Sequence, residues 1–560
     1  MKLIYHLSKI DINSLLKFLN NRTVEVLKHL GYLEKITSPK ISKIIIKSYS
    51  EQKILTIKKI RNSLFDTFTK NEIELLAKTI SKSERKNYYT YLKNLTFKKN
   101  SKEMNLLKNY FEIEEVKIKE DNEVKTEKVE INLRIHENSH VKTLYPLFDH
   151  QIKASYEAIE LLESKKPRAF LHMPTGSGKT RTAVNIMSML LRKKTDNFCM
   201  IWLANKEELC DQAMNEFYKS WQILGNQQIK IVKHFGGIRS NLKNINNELE
   251  EKPMVIFSSL GMIWEDVTSN ISSIIELSKK TSLVVMDEAH LSTAKTYKTI
   301  IELLAPTNKT AILGLSATPG RTYRDVNQDI ELKDFYYSQK ISLKIKNEKN
   351  IINWLIKNEY LAKASIEKIN FESDLVKLFT KKEVENELTR IKDGKDYSKN
   401  FLKKLSNDNE RIEFLINTII EENKKNQKMI VFASSKDNAI AISDLLNIKG
   451  IKAASITNET DVNLRRKSIN DYKDEKNNLN ILVNYDVLTT GFDAPKTKIA
   501  IIGRPTTSIV LYHQMIGRAV RGKKQGGNKS CRILTVADTY LPGYKNLADS
   551  FYFWEDIWND

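Results

Sequence analysis

The sequence predicts an α/β protein with two parallel-sheet lobes, preceded by a mostly helical basic domain. Short apolar runs typical of buried strands alternate with helical segments from about residue 144 to 322, and again from about 428 to 540. Upstream of residue 110, apolar residues instead recur at helical spacing. That first fifth of the chain also carries a large excess of positive charge.

Ten apolar runs are the predicted strands. They are AFLHM, FCMIWLA, MVIFSS, SLVVMDEA and TAILGLSAT in the first lobe, and KMIVFASS, KAASI, NILVNY, IAIIGRP and RILTVAD in the second. Because helical segments separate the runs, they favour βαβ units on parallel sheets. A chain of 560 residues also has room for three or four domains.

Residues 1–110 form the predicted helical domain, with helical spacing clearest in LLKFLNNRTVEVLKHLGYL and TKNEIELLAKTI. The domain has 23 Lys and Arg residues against nine Asp and Glu residues, a net charge of about +14 out of +22 for the chain. Positive charges at this density repel one another unless a negatively charged partner neutralises them, which favours a nucleic-acid-binding accessory domain. A small solvated helical bundle is the alternative interpretation.

The remaining boundaries follow changes in composition. The predicted segments are a β-hairpin or charged linker at 111–143, the first lobe at 144–322, a polar, Lys-rich helical connection at 323–427, the second lobe at 428–540 and a C-terminal tail at 541–560.

The net charge of +22 and the pI near 9.4 indicate a polyanionic partner, either nucleic acid or an anionic membrane. A membrane role is disfavoured because the sequence has no apolar run of about 18 residues. The N-terminus reaches polar residues too early for a signal peptide, so we expect a cytoplasmic protein without membrane contact. The three cysteines lack CxxC pairing, which indicates neither a zinc site nor a disulfide framework.

HMPTGSGKT, residues 172–180, lies between a predicted strand and a predicted helix, where a phosphate-binding loop belongs. Glycines there let backbone N–H groups turn toward phosphate oxygens. Lys179 would reach the β- and γ-phosphates, and the Thr180 hydroxyl would hold Mg²⁺. Met173 replaces the first glycine of the general pattern, on the outer arm of the loop, where a side chain can point away from the phosphates. The predicted nucleotide-binding residues are Thr175, Gly176, Ser177, Gly178, Lys179 and Thr180.

VVMDEAH, residues 284–290, provides a second chemical group. An acidic pair follows four apolar residues, at the carboxyl end of a buried strand, where ligands bind in parallel sheets. Asp287 would complete the Mg²⁺ coordination, and Glu288 would orient or deprotonate the attacking water.

An ordered series of motifs resembles the superfamily 2 helicases and translocases of DEAD/DEAH type, over about residues 144–540. The motifs are LFDHQ at 147–151, ANKEELCDQ at 204–212, VIFSS at 255–259, GLSATPGR at 314–321, IVFASS at 430–435, NYDVLTTGFDAP at 484–495 and QMIGRAVRG at 514–522, together with the two motifs above. The resemblance implies two RecA-like lobes with ATP and Mg²⁺ bound between them.

The resemblance also implies individual roles. Gln151 would contact the adenine base, and Ser316 and Thr318 would couple the ATP site to nucleic-acid binding. His290 would link the ATP site to contacts between the lobes. Asp493 would sense the nucleotide from the second lobe.

Arg518 and Arg521 are spaced i and i+3, which predicts one face of a helix in the second lobe. From there both guanidinium groups could clamp the γ-phosphate of ATP bound between the lobes. Such arginines contribute about 10³–10⁵ in rate in well-studied nucleotidases. By the same resemblance, Gln514 would contact the γ-phosphate or the attacking water.

Five polar residues near strand ends are the predicted contacts to a nucleic-acid backbone: Asn205, Ser259, Ser435, Thr489 and Thr490. Contacts of this kind follow phosphates and carry little sequence information. Each of these residues has the alternative of being a helix cap or a turn residue.

RNA-directed DEAD-box enzymes carry Asp where His290 stands and a His-Arg pair where this chain has Gln514 and Met515. This difference favours a DNA helicase or double-stranded DNA translocase, in repair, recombination, restriction or anti-phage defence, with a separate nuclease or other partner protein. An RNA helicase or remodelling ATPase is one alternative. A non-motor protein that uses ATP as a switch for nucleic-acid binding is the other.

Overall fold

The structure is a computed structural model, and its description covers most of the chain. The described residues are 2–81, 84–98, 101–113, 145–194, 198–250, 252–307, 309–318, 326–343, 350–372, 374–489, 492, 494–538 and 540–543. The predicted hairpin or linker at 111–143 lies outside them except for its first three residues, and so does the predicted tail beyond residue 543.

The described part of the N-terminal region is helical throughout, as predicted. Its helices are α1 (Lys2–Lys9), α2 (Ile12–Leu16), α3 (Asn21–His29), α4 (Ser38–Tyr49), α5 (Glu51–Thr56), α6 (Lys58–Phe65), α7 (Lys70–Ile80), α8 (Tyr88–Asn94) and α9 (Lys102–Tyr110). Side-chain caps define several helix starts, and Thr69 forms a capping box with Glu72 at α7.

The first lobe is a seven-stranded sheet in the order β3-β4-β2-β5-β6-β1-β7, with parallel pairing at every neighbour. Its elements are α10 (Asp149–Leu162), β1 (Arg168–His172), α11 (Lys179–Arg192), β2 (Cys199–Ala204), α12 (Glu207–Leu224), β3 (Lys230–His234), α13 (Leu242–Glu248), β4 (Met254–Ser259), α14 (Leu260–Ser269), α15 (Ile271–Lys280), β5 (Thr281–Asp287), α16 (Lys295–Leu304), β6 (Ala311–Ser316), α17 (Val326–Phe335) and β7 (Lys340–Ser342).

The second lobe is a six-stranded parallel sheet in the order β10-β11-β9-β12-β13-β8. Its elements are α18 (Ile351–Lys357), β8 (Lys363–Phe371), α19 (Leu375–Leu378), α20 (Lys381–Lys392), α21 (Lys399–Leu405), α22 (Asn409–Asn423), β9 (Met429–Phe432), α23 (Lys436–Ile448), β10 (Ala453–Ile456), α24 (Val462–Lys473), β11 (Ile481–Asn484), β12 (Ile499–Ile502), α25 (Ile509–Ile516) and β13 (Ser530–Asp538). All ten predicted strands are present, so two parallel-sheet lobes are confirmed.

The range 323–427, predicted to be a polar helical connection, also contributes a strand to each sheet. β7 pairs with β1 in the first lobe, and β8 pairs with β13 over nine residues in the second. Both are edge strands, so they lack the continuous apolar run that marks a central strand. Residues of β8 are exposed or half-buried along its whole length, which explains its polar sequence.

The N-terminal helices pack against the second lobe, mainly through α3 and α4 on α23. At the centre of this contact the hydroxyls of Thr23 and Ser48 donate hydrogen bonds to the buried carboxylate of Asp444, at 2.9 and 2.8 Å. The basic domain is therefore docked on one lobe. Among the described helices, none combines the length and apolarity that crossing a membrane requires.

Candidate active site

A cavity of about 400 Å³ lies between the two lobes. Its first wall contains the phosphate loop, with Lys179, and the acidic pair that follows β5. Its second wall contains Gln514, Arg518 and Arg521 from the second lobe. The structure thus brings together groups separated by more than 330 residues in the sequence.

The loop at 172–180 connects β1 to α11, as predicted. Gly176 and Gly178 have φ angles of +87° and +92°, in the left-handed region where glycine is favoured. Gly178 is the residue that precedes the first turn of α11, so the helix N-terminus faces the cavity. Met173 is fully buried, and its backbone amide donates to the Ser316 carbonyl at 3.0 Å. Met173 is therefore a core residue that holds the outer arm against β6.

Lys179 forms ion pairs with both carboxylates, 3.2 Å from Asp287 and 3.7 Å from Glu288. Burial acts to lower the Lys179 pKa, but the two carboxylates raise it by more, so it lies above its ordinary value. Burial raises the pKa of Asp287, against the opposing effect of Lys179. Burial acts on Glu288 in the same direction, but Lys179, His290 and Arg518 together lower its pKa. The surrounding cations thus outweigh burial at Glu288, whereas burial outweighs them at Asp287.

The Thr180 hydroxyl and the Asp287 carboxylate border the same cavity, and both are hard oxygen donors of the kind that Mg²⁺ prefers. Within the described ranges no cluster of three or more His, Cys, Asp or Glu residues could hold a metal by itself. This donor set fits a magnesium ion that takes its other ligands from phosphates and water. The ion would neutralise charge on the phosphates.

A chain of polar contacts leads from the acidic pair to β6. Nδ1 of His290 lies 3.4 Å from Glu288 and 3.3 Å from the Ser316 hydroxyl. The Ser316 hydroxyl lies 3.2 Å from the Thr318 hydroxyl. The predicted coupling residues therefore form one connected group.

Gln151 is almost completely buried, and its side chain bonds to the phosphate loop. Its Nε2 donates to the Gly178 carbonyl at 3.2 Å, while its Oε1 accepts the Phe148 amide at 2.9 Å. The side chain thus joins the N-terminus of α10 to the loop, and it borders the cavity on the predicted base side.

The prediction that Arg518 and Arg521 share a helical face is wrong. Helix α25 ends at Ile516, Arg518 lies in the turn that follows, and Arg521 forms an isolated antiparallel bridge with Leu361. The helix ends because the next residues pair with the segment before β8. Arg518 nevertheless borders the cavity, and its Nε donates to the Gln514 carbonyl at 3.2 Å.

The lobes touch closely at the phosphate loop and at the segment that follows β2. A Cβ added at Gly517 would lie only 2.1 Å from Cγ2 of Thr175, so a side chain there would separate the lobes. Lys206 of the first lobe donates to the Asp486 carbonyl of the second at 2.7 Å. The structure therefore places the two lobes in direct contact across the cavity.

The residues predicted to contact nucleic acid differ in what the structure shows of them: two cap helices, one has a buried oxygen without a partner among the described residues, and two are not fully described. Ser259 and Ser435 cap α14 and α23, and Ser435 also bonds to the Ser406 hydroxyl at 2.9 Å. Asn205 follows β2 and has a buried Oδ1 with no hydrogen-bond partner among the described residues. Thr489 ends a short 3₁₀ turn, and its side chain is outside the description. Thr490 and Asp493 also lie outside the described residues.

Sequence reasoning missed Lys524 and Gln525, which border the cavity from the second lobe. It also missed Tyr360 and Leu361, which pair with the segment around Arg521. The first two lie two and three residues after the last motif, and that position is the only signal in the sequence. The contacts of Tyr360 and Leu361 depend on tertiary structure.

Comparisons with known families and proteins agree with this geometry. A family model described as the type III restriction enzyme res subunit matches residues 144–321, and the helicase conserved C-terminal domain matches 410–523. A 51.5 kDa protein of a Lactococcus phage is 28% identical over 281 residues, covering 50% of this chain and 53% of its own.

Two further relatives carry functional names. A type I restriction enzyme EcoAI endonuclease subunit of Escherichia coli is 22% identical and covers 69% of this chain and 45% of its own. A DEAD-box ATP-dependent RNA helicase of Arabidopsis thaliana is 22% identical and covers 58% of this chain and 38% of its own. The chain spans about half the length of the curated relatives it matches, or less. With both matched domains in order, and with the phosphate loop, the acidic pair and the last motif lining one cavity, the chain belongs to the superfamily 2 helicases, a family of ATP-hydrolysing enzymes.

Proposed function

We propose that this protein is a nucleic-acid-stimulated ATPase that hydrolyses ATP between its lobes to move along DNA. The observation that carries the proposal is the cavity whose two walls come from different lobes. A nucleotide there contacts both walls, so its binding and hydrolysis change the separation of the lobes. Alternate closing and opening of two lobes that each hold a strand would advance the protein along nucleic acid.

Each predicted residue has a distinct task in this proposal. Lys179 and the loop amides bind the phosphates, and Glu288 accepts a proton from the attacking water. Arg518 and Arg521 stabilise negative charge that develops on the γ-phosphate. Magnesium, held by Thr180 and Asp287, would supply further charge neutralisation at the phosphates.

The first test is steady-state ATPase activity with single-stranded DNA, duplex DNA, forked DNA and RNA. We expect stimulation by DNA to exceed stimulation by RNA. The names of the relatives include both a restriction subunit and an RNA helicase, so they leave DNA and RNA open as the nucleic acid. The ATPase assay decides between DNA and RNA. Stronger stimulation by RNA would replace the DNA proposal with an RNA helicase or remodelling ATPase.

The second test is displacement of the third strand from a triplex. A translocase strips that strand as it moves, whereas a protein that uses ATP only as a switch does not. We expect ATP-dependent displacement that the non-hydrolysed analogue of ATP fails to support. ATPase activity without displacement would favour the non-motor alternative.

We also propose that the N-terminal domain binds nucleic-acid phosphates. Three exposed lysines, Lys43 and Lys47 of α4 and Lys452 of the second lobe, lie beside the seam between this domain and the second lobe, where Lys47 bonds to Asn447. Burial, together with the nearby charges of Lys452 and Lys43, lowers the pKa of Lys47. Positive charges that repel one another at one place are well suited to a polyanion.

The salt dependence of DNA binding tests this second proposal. Replacing Lys43, Lys47 and Lys452 with Gln should flatten the plot of log K against log salt by about 0.9 for each phosphate that the protein no longer neutralises. Gln at the exposed lysines Lys153, Lys219 and Lys243 of the first lobe is the matched control. An equal slope in the two triple variants would indicate that the N-terminal domain is a solvated bundle.

A further inference from the structure

The connection between the lobes holds the backbone of Arg521. Leu361 forms an antiparallel bridge with Arg521, and hydrogen bonds on either side extend the pairing. The Ala362 amide donates to the Val520 carbonyl at 2.9 Å, and the Gly522 amide donates to the Tyr360 carbonyl at 3.1 Å. We call residues 359–362 the clasp.

The clasp lies directly over the phosphate loop. A Cβ added at Gly176 would be 3.0 Å from Cδ2 of Leu361 and 3.8 Å from Cδ of Arg521. The same short segment therefore touches the loop that would hold the phosphates and the arginine that would act on them. Moving the clasp moves the arginine relative to the loop.

The clasp is also tied to the first lobe on the predicted base side. The Tyr360 ring lies 4.6 Å from Phe148 and 4.9 Å from His150, measured between ring centroids, and it stacks on Trp354 at 5.5 Å. After Ala362 the chain enters β8, the edge strand of the second sheet. One stretch of chain thus joins the base side of the cavity to the second lobe.

Gln525 holds the side chain of the same arginine. Its Oε1 accepts a hydrogen bond from Arg521 Nη1 at 2.7 Å. Its Nε2 is buried without a hydrogen-bond partner among the described residues, and Gln525 borders the cavity. One end of this amide therefore orients the guanidinium at the edge of the cavity.

We propose that Gln525 and the clasp are positioning residues that aim Arg521 at the γ-phosphate. The position of the Arg521 guanidinium then depends on the connection between the lobes as well as on the second sheet. The inference rests on the proposed ATPase function. Neither Gln525 nor the clasp performs chemistry itself. Each acts through Arg521, and that dependence is what an experiment can measure.

The test is a double-mutant cycle. Gln525→Met keeps the length of the side chain but removes the acceptor, and we expect kcat for ATP hydrolysis to fall by roughly 10- to 100-fold, as for a misplaced catalytic group. The KM for ATP should rise by a smaller factor than kcat falls, because most of the guanidinium's effect belongs to the transition state. In the Arg521→Ala background the same substitution should have no further effect.

Tyr360 provides a matched pair for the clasp. Tyr360→Ala removes the ring that anchors the clasp to Phe148 and His150, whereas Tyr360→Phe keeps it. We expect only the alanine variant to lower kcat, and only when Arg521 is present. Equal losses with and without Arg521, or losses that follow a lowered thermal midpoint, would overturn the proposal.

Equilibrium binding gives a readout that needs no turnover. A guanidinium aimed at the γ-phosphate favours ATP over ADP, so Gln525→Met should weaken that preference unless Arg521 is already replaced. An ATP preference that Gln525 does not affect contradicts the inference. A Gln525-dependent preference in a protein without nucleic-acid-stimulated hydrolysis would refute the proposed function while leaving the inference intact.

Discussion

The two walls of the cavity are built differently. In the first lobe, Lys179 begins α11 after the phosphate loop and forms ion pairs with Asp287 and Glu288 at the end of β5. In the second lobe, Arg518 and Arg521 lie beyond the end of a helix and are held by backbone carbonyls, by Gln525 and by the clasp. The first wall is thus preorganised by its own lobe, whereas the second depends on neighbouring segments. Under the proposed function the site opens and closes, and such a site benefits from one fixed wall, the first, and one movable wall, the second.

The largest expected effect comes from the movable wall. Arg521→Ala should lower kcat for ATP hydrolysis by about 10³-fold, the lower end of what such arginines contribute. The Arg521 side chain takes no part in the ion pairs of Lys179 with the acidic pair. The thermal midpoint of the Arg521→Ala variant should therefore equal that of the original protein. Steady-state ATPase assays and calorimetry check the two halves of this prediction. Arg466→Ala, on the neighbouring helix α24, is a control that should leave hydrolysis unchanged.

The fixed wall should respond in two ways at once. Lys179→Ala should lower hydrolysis by about 10²–10³-fold, as expected for the loss of one preorganised charge. It also leaves two buried carboxylates without their cation, so the first lobe should lose about 3 kcal/mol of stability. Lys193→Ala, at the other end of α11, is the matched control. If Lys179→Ala left stability unchanged, the contrast between the walls would be lost.

The contact between the walls gives a smaller effect. Gly517→Ala places a methyl group 2.1 Å from Cγ2 of Thr175, so the lobes cannot reach the observed separation. We expect kcat/KM for ATP to fall by roughly 10- to 100-fold, the cost of a small misalignment. Thr175→Ser removes that methyl group, and the double variant should recover part of the activity, because the added Cβ still lies 2.9 Å from the His513 carbonyl oxygen. Failure to recover would place the cause outside this contact.

The smallest effect concerns the support of the second lobe by the N-terminal domain. Burial raises the pKa of Asp444 from 3.8 to about 7 in the folded protein. Folding therefore binds a proton between these two values, and the free energy of unfolding falls as the pH rises from 3.8 to about 7. Above about pH 7 the Asp444 carboxylate is ionised in the folded protein as well, and the full free-energy cost of burying its charge lowers the stability.

Asp444→Asn should remove that cost. We expect its thermal midpoint to exceed that of the original protein at about pH 8, by roughly 2–4 °C for each kcal/mol, and to differ little at about pH 4. Asp437→Asn, at the same interface where Asp437 accepts a hydrogen bond from Asn20, is the control for replacing an acidic residue at this contact. A pH-independent gain in Asp444→Asn would contradict the buried-charge explanation.

The sequence by itself determined the central strands, the N-terminal helices and the first wall of the cavity. Those strands are continuous apolar runs, and the loop and acidic pair follow them directly, so local order in the chain fixes their place at the sheet edge. It did not determine the edge strands β3, β7 or β8, because an edge strand with one covered face has no continuous apolar run.

Only the tertiary structure decided how the second wall is assembled. The i and i+3 spacing of Arg518 and Arg521 predicted a helical face, but pairing with residues 359–362 ends the helix and fixes Arg521 in an extended bridge. The partners of Arg521 are 160 residues away in the chain or lie in a turn beyond the last motif. A pattern of neighbouring residues carries no information about such contacts, because they arise only when the two lobes and the connection fold together.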